Sequence, residues 1–289
     1  MNNTLLACNL FALILAGTLA PADLARGQGK TSLRSKSSPT QTNISHDSWL
    51  KLIQASSGQT RDQAIVHAAK ASHFPNFLRD LKPVHFTDGK DRVTVFVTPD
   101  YFAVGTNDRF VRIATGMREA SAIAKMFNAS LPTAKMVDAI YRQADKRLTP
   151  KHYKPDHMMV SSSKIFMHND GIEDRLSAND RGRLIAGHKK DIVISKKLLQ
   201  RSDRIAIYGW HRSNFKPIQP LSFWHSHDYV DYSHGIRLVS RKVFLNGKPA
   251  DLAYVLKHPK LARLLSDEGP FDLNRVLDNN EAPNLSLAH

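Results

Sequence analysis

The sequence predicts an α+β fold, with antiparallel sheets and segregated helices. Some segments are short apolar runs bounded by turn residues, which is typical of strands, whereas others have apolar residues every three or four positions, which is typical of helices. These two kinds of segment are grouped along the chain, and this grouping indicates α+β architecture. The 289 residues, 42% of them hydrophobic, have ordinary globular composition, which excludes a repeat array or a disordered tail.

The N-terminus has the order of a secretory signal peptide. An apolar stretch at residues 5–20 is followed by small and then polar residues; it is shorter than the roughly 20 residues of a membrane span, so an anchor is disfavoured. We therefore expect a signal peptide over residues 1–25, a secreted or periplasmic location, and no stable membrane span in the mature chain. Residues 26–46 are rich in Ser, Thr, Gln and Lys, which predicts a flexible linker.

Residues 47–150 are predicted to be a helical region with a small sheet. Helical spacing occurs in SHDSWLKLIQAS and RDQAIVHAAKAS, and again in REASAIAKMFNAS and LPTAKMVDAIYRQA. Between the two pairs, VTVFV, YFAVG and FVRIA are separated by turn residues and predict a small antiparallel sheet. The second pair of helices is expected to cover one face of that sheet.

Residues 151–270 are predicted to be a second, histidine-rich α+β region. DIVIS and RIAIYGW read as strands, IRLVS and KVFLN are expected to close a hairpin around Asn246-Gly247, and residues 250–269 form an amphipathic helix broken at Pro259. A polar tail is expected over residues 271–289.

The charge balance points to an acidic partner. There are 41 Lys plus Arg against 26 Asp plus Glu, a formal charge of +15, so a cell-wall or other anionic polymer is the expected partner. Nucleic acid is disfavoured, because the chain is expected to be exported and has no regular Lys/Arg stripe. The single cysteine, Cys8, falls in the predicted signal peptide, so a metal in the mature chain would need His, Asp or Glu ligands.

Three polar groups in the second half could carry chemistry. The densest is WHSHDYVDYSHGIRL, residues 224–238, in which His225 and His227 would share one face of an extended backbone, with Asp231 and His234 close behind. His188 and Asp191 stand directly before a predicted strand. The third group lies at the end of another strand and consists of Tyr208, Trp210 and His211.

These residue types suit a hydrolytic site. Zinc in such a site takes about three protein ligands and keeps one position open for water, and nearby His or Asp side chains can move protons. Arg237 follows His234 closely and could bind a substrate carboxylate, with Tyr208, Trp210 and Tyr229 as further substrate-binding side chains. A solvated histidine-rich surface is the plain alternative.

Several segments carry a resemblance to known groups of proteins. GHKKD, YGWH, PIQPL and VDYSHGIRL resemble segments of secreted bacterial proteins of unassigned activity. The histidine and aspartate motifs also resemble, more weakly, those of zinc peptidases of the lysostaphin and D-Ala-D-Ala carboxypeptidase type. That second resemblance implies zinc ligands at His188, Asp191 and His234, with Asp231 or His225 as the proton acceptor; His211 is a further catalytic candidate.

The sequence thus predicts an exported cationic hydrolase of peptidoglycan or another acidic extracellular polymer, with zinc-assisted amide hydrolysis as its reaction. A metal-free glycan hydrolase and a non-catalytic cell-wall or glycan-binding protein with a platform of Trp210, Tyr229 and Trp224 remain open.

Overall fold

The computed structural model describes residues 31–35 and 44–280, so the predicted signal peptide lies outside the described residues. The helices are α1 His46–Ala55, α2 Gly58–Lys70, α3 Met117–Met126, α4 Ala134–Gln143, α5 Ser162–Glu173, α6 Leu252–Lys257, α7 Ala262–Leu265 and α8 Leu273–Asn279. The strands are β1 Lys82–Asp88, β2 Asp91–Val97, β3 Ala103–Gly105, β4 Phe110–Arg112, β5 Ala129–Ser130, β6 Lys146–Arg147, β7 Ile185–Ala186, β8 Lys190–Ile192, β9 Ile207–His211, β10 Pro217–Ser222, β11 His234–Gly235, β12 Val239–Ser240, β13 Lys242–Leu245 and β14 Lys248–Asp251. This mixture of helices and mostly antiparallel sheets confirms the α+β prediction.

The larger sheet has six strands and joins the two halves of the chain. Its order is β14-β13-β2-β12-β5, with β1 also pairing with β2. Strand β2 from the first half pairs antiparallel with β13 and β12 from the second half. The two predicted regions therefore share one sheet, and their apolar side chains share one continuous core.

The smaller sheet positions the polar groups discussed below. Its order is β10-β9-β8-β11, and β8 pairs antiparallel with β9 but parallel with β11. Strands β8 and β11 are short, and each is preceded by a polar loop. The end of the sheet thus collects charged side chains from two distant stretches of sequence.

The helices at the start of the described region follow the predicted periodicity. In α1, the side chain of Ser45 accepts the N–H of Ser48 as an N-cap, and Trp49, Leu50 and Ile53 are buried at helical spacing. Helix α4 is capped by Thr133 in the same way. The periodic apolar face of each helix therefore lies in the core.

The sheet expected in the first half is divided between two places. Strands β3 and β4 form a separate two-stranded hairpin, whereas β2 lies in the six-stranded sheet. Helix α4 packs on β1 and β9, and helix α3 packs on α2 and β5. The expectation that α3 and α4 cover one face of a single small sheet is therefore wrong, because the three strands do not form one sheet.

Three further predictions need correction. The turn at Asn246-Gly247 joins β13 to β14, not IRLVS to KVFLN; Pro249 is tolerated in β14 because this strand is at the sheet edge. Within the predicted linker, Leu33 is buried and its N–H donates to the carbonyl of Arg79. Residues 273–279 of the predicted polar tail form α8, which buries its apolar side chains in the core.

Within the part of the chain that is described, no helix combines the length and the apolar content of a membrane span.

Candidate functional site

The strand pair β8–β11 divides the polar residues between two faces. Lys190 is opposite His234 and Asp191 is opposite Gly235 in the parallel register. Successive side chains on a strand point to opposite faces, and paired residues point to the same face. Lys190 and His234 therefore share one face, and Asp191 points to the other.

On the face of Asp191, charged and polar side chains form a buried network. Its members are Asp100, Tyr101, Arg112, His188, Asp191 and Arg237. The Tyr101 hydroxyl donates to Asp191 Oδ2 at 2.7 Å, and Arg237 Nε lies 3.9 Å from Asp191 Oδ1. Burial is the main cause that raises the pKa of Asp191, to about 6.

Arg237 belongs to the core and not to an accessible surface. Its two terminal nitrogens donate to the carbonyls of Thr98 and Ile185, both at 2.7 Å, and its side chain has no exposed area. The guanidinium also lies over the Tyr101 ring. The structure therefore gives the predicted carboxylate-binding arginine a role in joining main-chain segments.

Asp100 anchors the other end of the buried network. Its Oδ2 accepts from Arg112 Nε at 3.0 Å and from a terminal nitrogen of the same side chain at 2.7 Å, and its Oδ1 lies 3.0 Å from His188 Nε2. Burial acts to raise the pKa of Asp100, but Arg112 and His188 hold it well below its usual range. The pKa of His188 is lowered to about 4, mainly by burial. His188 is therefore a neutral imidazole at neutral pH.

Gly235 makes room for this network. A Cβ at this position would lie 2.5 Å from Tyr101 Cδ1 and 2.9 Å from Lys189 Cδ. Only glycine lets the Tyr101 ring approach the strand closely enough for its hydroxyl to reach Asp191. The glycine that follows His234 thus serves the opposite face of the sheet.

The three predicted zinc ligands are divided by the same geometry. His188 and Asp191 both border Tyr101, whereas His234 lies on the other face of the strand pair. Across residues 31–35 and 44–280, no three His, Cys, Asp or Glu side chains are grouped so as to hold a metal ion. The described residues therefore do not fit a three-ligand zinc centre. Zinc binding stays a prediction from the sequence.

On the face of Lys190, a second group lies near the surface. We call it the Lys190 site and define it as Lys190, His225, Tyr229, Asp231 and His234. Lys190 Nζ lies 3.6 Å from Asp231 Oδ2, and 15% of the Lys190 side chain is exposed. The ammonium also lies 5.0 Å from the centre of the Trp210 ring, a cation–π distance.

Trp210 has an unusual backbone at this point. Its φ is +57°, in the left-handed region that a bulky aromatic residue rarely adopts. Such conformations cost free energy and cluster at functional sites. Here the strained backbone places the indole under Lys190, with its N–H donating to the carbonyl of His188 at 3.3 Å.

Asp231 is held as a carboxylate. Its Oδ1 accepts from the N–H and the hydroxyl of Ser233, both at 2.6 Å. Burial acts to raise its pKa, but His234, Lys190 and the Ser233 hydrogen bonds lower it overall. Asp231 is therefore ionised at neutral pH and fixed in orientation.

His234 is the least satisfied residue of the Lys190 site. It is fully buried, and neither ring nitrogen has a hydrogen-bond partner in the described part of the chain. Burial lowers its pKa, against the opposing effect of Asp231, so the ring is neutral. Unsatisfied buried polar groups are costly in native proteins, so His234, beside Lys190 and Asp231, is a functional candidate. Among the described residues, both ring nitrogens of His168 also lack a partner.

His225 and Tyr229 form the outer layer. Their rings are stacked at 3.8 Å and 10°, and the Tyr229 ring lies 5.8 Å from that of His234. His225 is partly exposed, and burial lowers its pKa. Ser226, between His225 and His227, forms an isolated bridge with Arg204 outside the named strands, and His227 Nδ1 lies 3.9 Å from a carboxylate oxygen of Asp228. The shared face expected for His225 and His227 stays a prediction.

Two members of the third predicted group, Tyr208 and His211, form a separate cluster with Asp138, which the sequence analysis missed. Asp138 Oδ1 accepts the Tyr208 hydroxyl at 2.9 Å and lies 2.7 Å from His211 Nε2. The His211 ring is buried and stacked on Tyr141 at 4.6 Å. His211 and Tyr208 are therefore together, but apart from the Lys190 site.

Lys190 was also missed, although it lies within the quoted segment GHKKD. A lysine at the start of a short apolar strand normally indicates a solvated end. The available signal was its place between His188 and Asp191, with a run of three apolar residues directly after that aspartate.

No protein-family model, curated protein or solved structure matches the chain significantly.

Proposed function

We propose that the protein is an exported hydrolase of an acidic extracellular polymer and that the Lys190 site carries its acid–base chemistry. The observation that supports this most is the gathering of an ammonium, an ionised carboxylate and two neutral imidazoles at the end of one strand pair. One of these imidazoles has no hydrogen-bond partner within the described residues. The strained Trp210 backbone beneath them supports the same assignment.

The substrate class follows from charge. A formal charge of +15 raises the local concentration of the protein on a polyanion such as a cell wall. Peptidoglycan and carboxylated polysaccharides are polymers of this kind. Export, which the sequence predicts, would bring the protein to them.

The proposed reaction uses the chain's own groups. His225 is accessible and neutral, so it accepts a proton as water attacks the scissile carbonyl carbon. The ammonium of Lys190 stabilises the negative charge that develops on the carbonyl oxygen. His225 then returns the proton to the leaving group, which restores the starting state.

The buried members of the site position the others. The carboxylate of Asp231 holds Lys190 and stabilises the imidazolium that forms on His225, and the Asp231 charge acts to raise the pKa of His225. Because His234 is neutral, it does not compete with Lys190 for that carboxylate. We regard Asp231 and His234 as positioning residues.

Release of soluble fragments from a purified polymer tests this proposal. The protein is incubated with peptidoglycan, which contains amide bonds, and with polygalacturonate as an anionic control polymer joined only by glycosidic bonds, and the products are identified by mass spectrometry. His225→Gln is expected to reduce the initial rate by at least about 10²-fold. His67→Gln is the matched control, since His67 is an exposed residue of α2.

The proposal fails if the wild-type protein releases nothing from peptidoglycan, or if His225→Gln cleaves it as fast as the wild type. A non-catalytic glycan-binding protein is the second candidate, and the observation that favours it is the exposure of Trp224. Polymer binding without any fragment release would support that candidate.

A further inference from the structure

A second surface feature adjoins the Lys190 site. It is a depression of about 290 Å³ lined by Arg201, Arg204, Phe223 and Trp224, which we call the Trp224 groove. Trp224 is 83% exposed, in contrast to 4% for Trp49 and 6% for Trp210. A large aromatic ring in water is unfavourable unless it contacts a partner, so this ring is a candidate binding surface.

The groove is strongly cationic. Residues 196–204 contain two lysines and two arginines but only one acidic residue, Asp203. The Arg201 guanidinium has no carboxylate partner within the described residues and lies 5.9 Å from the centre of the Phe223 ring. Its charge is therefore available to a ligand.

Arg204 is held in a fixed position. One terminal nitrogen donates to the carbonyl of Trp224 at 3.1 Å, and its Nε lies 2.9 Å from a carboxylate oxygen of Asp203. A fixed guanidinium beside an exposed indole offers a charge and a flat apolar face to the same ligand.

The groove lies beside the segment that carries His225. The N–H of Ile205 donates to the carbonyl of His225 at 3.2 Å, and Arg204 forms an isolated bridge with Ser226. Trp224 is the chain neighbour of His225. A ligand in the groove is therefore bound one residue along the chain from His225.

We propose that the Trp224 groove binds a carboxylated sugar unit of the polymer that is cleaved at the Lys190 site, an inference that rests on the proposed function. The apolar face of the sugar ring packs on the indole of Trp224, and its carboxylate pairs with Arg201 and Arg204. The volume is at the low end for ligand sites and suits one sugar ring.

A single-stranded nucleic acid is less well matched to this geometry. Such ligands stack successive bases on several aromatic rings along a basic groove. Two other aromatic side chains are about half exposed, Phe215 at 48% and Tyr254 at 54%. Neither lines this groove. An oligonucleotide is nevertheless included in the test.

Tryptophan fluorescence provides the measurement, because Trp224 is the exposed one of the three tryptophans. The full-length protein is titrated with trigalacturonate and with its fully methyl-esterified form, which keeps the sugar rings but removes the charges. Trigalacturonate is expected to change the emission and to bind at least about tenfold more tightly than the ester. The change should be absent in Trp224→Phe.

The arginines are tested by the double variant Arg201→Gln/Arg204→Gln. It is expected to bind trigalacturonate at least about tenfold more weakly, whereas Arg275→Gln, at an exposed position on α8, should bind like the wild type. Equal binding of acid and ester, or unchanged binding by the double variant, would overturn the inference. So would tighter binding of a ten-nucleotide oligo-dT that depends on the same two arginines.

The outcome separates this inference from the proposed function. Specific binding of trigalacturonate without cleavage of any polymer would support the groove and contradict the hydrolase. If the double variant cleaves the polymer like the wild type, and acid and ester bind equally, the hydrolase would be supported and the groove would be contradicted.

Discussion

The two faces of the β8–β11 strand pair carry similar residue types but differ in how these residues are paired. In the buried network, Asp100 is bonded to Arg112 and lies within hydrogen-bond distance of His188, and Asp191 is bonded to Tyr101. In the Lys190 site, the ammonium lies 3.6 Å from Asp231 and is partly exposed, and His234 has no partner among the described residues.

This difference separates a structural role from a chemical one. Buried charges are tolerated when each is paired, and breaking one pair leaves an uncompensated charge in the core. Side chains that react must instead keep atoms available to a substrate. Residue type alone therefore does not tell the two groups apart; pairing and access do.

The largest effect on stability is expected from the buried network. Asp100→Asn removes the carboxylate between Arg112 and His188 and should lower the free energy of unfolding by about 3–5 kcal/mol. Urea denaturation followed by circular dichroism measures this loss. A change below about 1 kcal/mol would show that the buried network contributes little to stability. The structural role assigned to this face of the strand pair would then be wrong.

Acid should destabilise the protein through the buried histidines. The folded-state pKa values of His188 and His168 are lowered to about 4 and about 2, so the unfolded chain binds protons first and stability is lost as pH falls below about 6.5. The loss reaches about 1.4 kcal/mol per pH unit for each histidine. The raised pKa of Asp191, about 6, acts in the opposite sense between about pH 4 and pH 6, and so do the raised pKa values of the buried carboxyl groups of Asp62 and Glu119.

Melting temperatures between pH 7.5 and pH 4.5 test this expectation. The wild-type melting temperature should fall steadily below about pH 6.5, and His168→Phe should show a shallower fall because it removes one buried titrating ring. A melting temperature that rises toward pH 4.5 would contradict the neutral, buried state of these imidazoles.

A smaller effect is expected at Gly235. Gly235→Ala places a methyl group 2.5 Å from the Tyr101 ring, so the ring must shift away from Asp191 at a cost of about 1–3 kcal/mol. Denaturant unfolding measures it, and Gly89→Ala checks the general effect of alanine at a glycine, since that position is open but has a positive φ. A loss at Gly235 no greater than that at Gly89 would mean that the close approach is unimportant.

The smallest effect is expected from metal removal. His188 and Asp191 are held by Asp100 and Tyr101, and His234 is on the other face, so dialysis against EDTA should leave the melting temperature and the cleavage rate unchanged. Stoichiometric zinc in the purified protein, together with loss of cleavage on chelation, would contradict this and support the zinc prediction from the sequence.

Local patterns predicted much of the fold. The helical periodicity of Trp49, Leu50 and Ile53 and the break near Pro259 both appear in the structure, because they depend on neighbouring residues. The pairing of β13 with β2 and the burial of Leu33 depend on contacts between distant segments. The spacing of apolar residues within either segment does not predict which distant segment it contacts.

The site shows the same limit. The sequence identified His188, Asp191, Asp231 and His234 as polar residues of interest. It did not show that the parallel register of β8 and β11 places Lys190 beside His234 and turns Asp191 to the other face. A shift of one residue in that register would exchange the two faces.

The most direct test of the central claim is the cleavage rate of Lys190→Met, measured beside its unfolding free energy. The methionine keeps the length of the side chain but removes the charge, and Lys248→Met, at an exposed edge strand, is the control. We predict at least about a 10²-fold loss of rate with a stability change on the order of 1 kcal/mol. A variant that cleaves like the wild type, or one that loses activity only because it unfolds, would contradict the assignment of the Lys190 site.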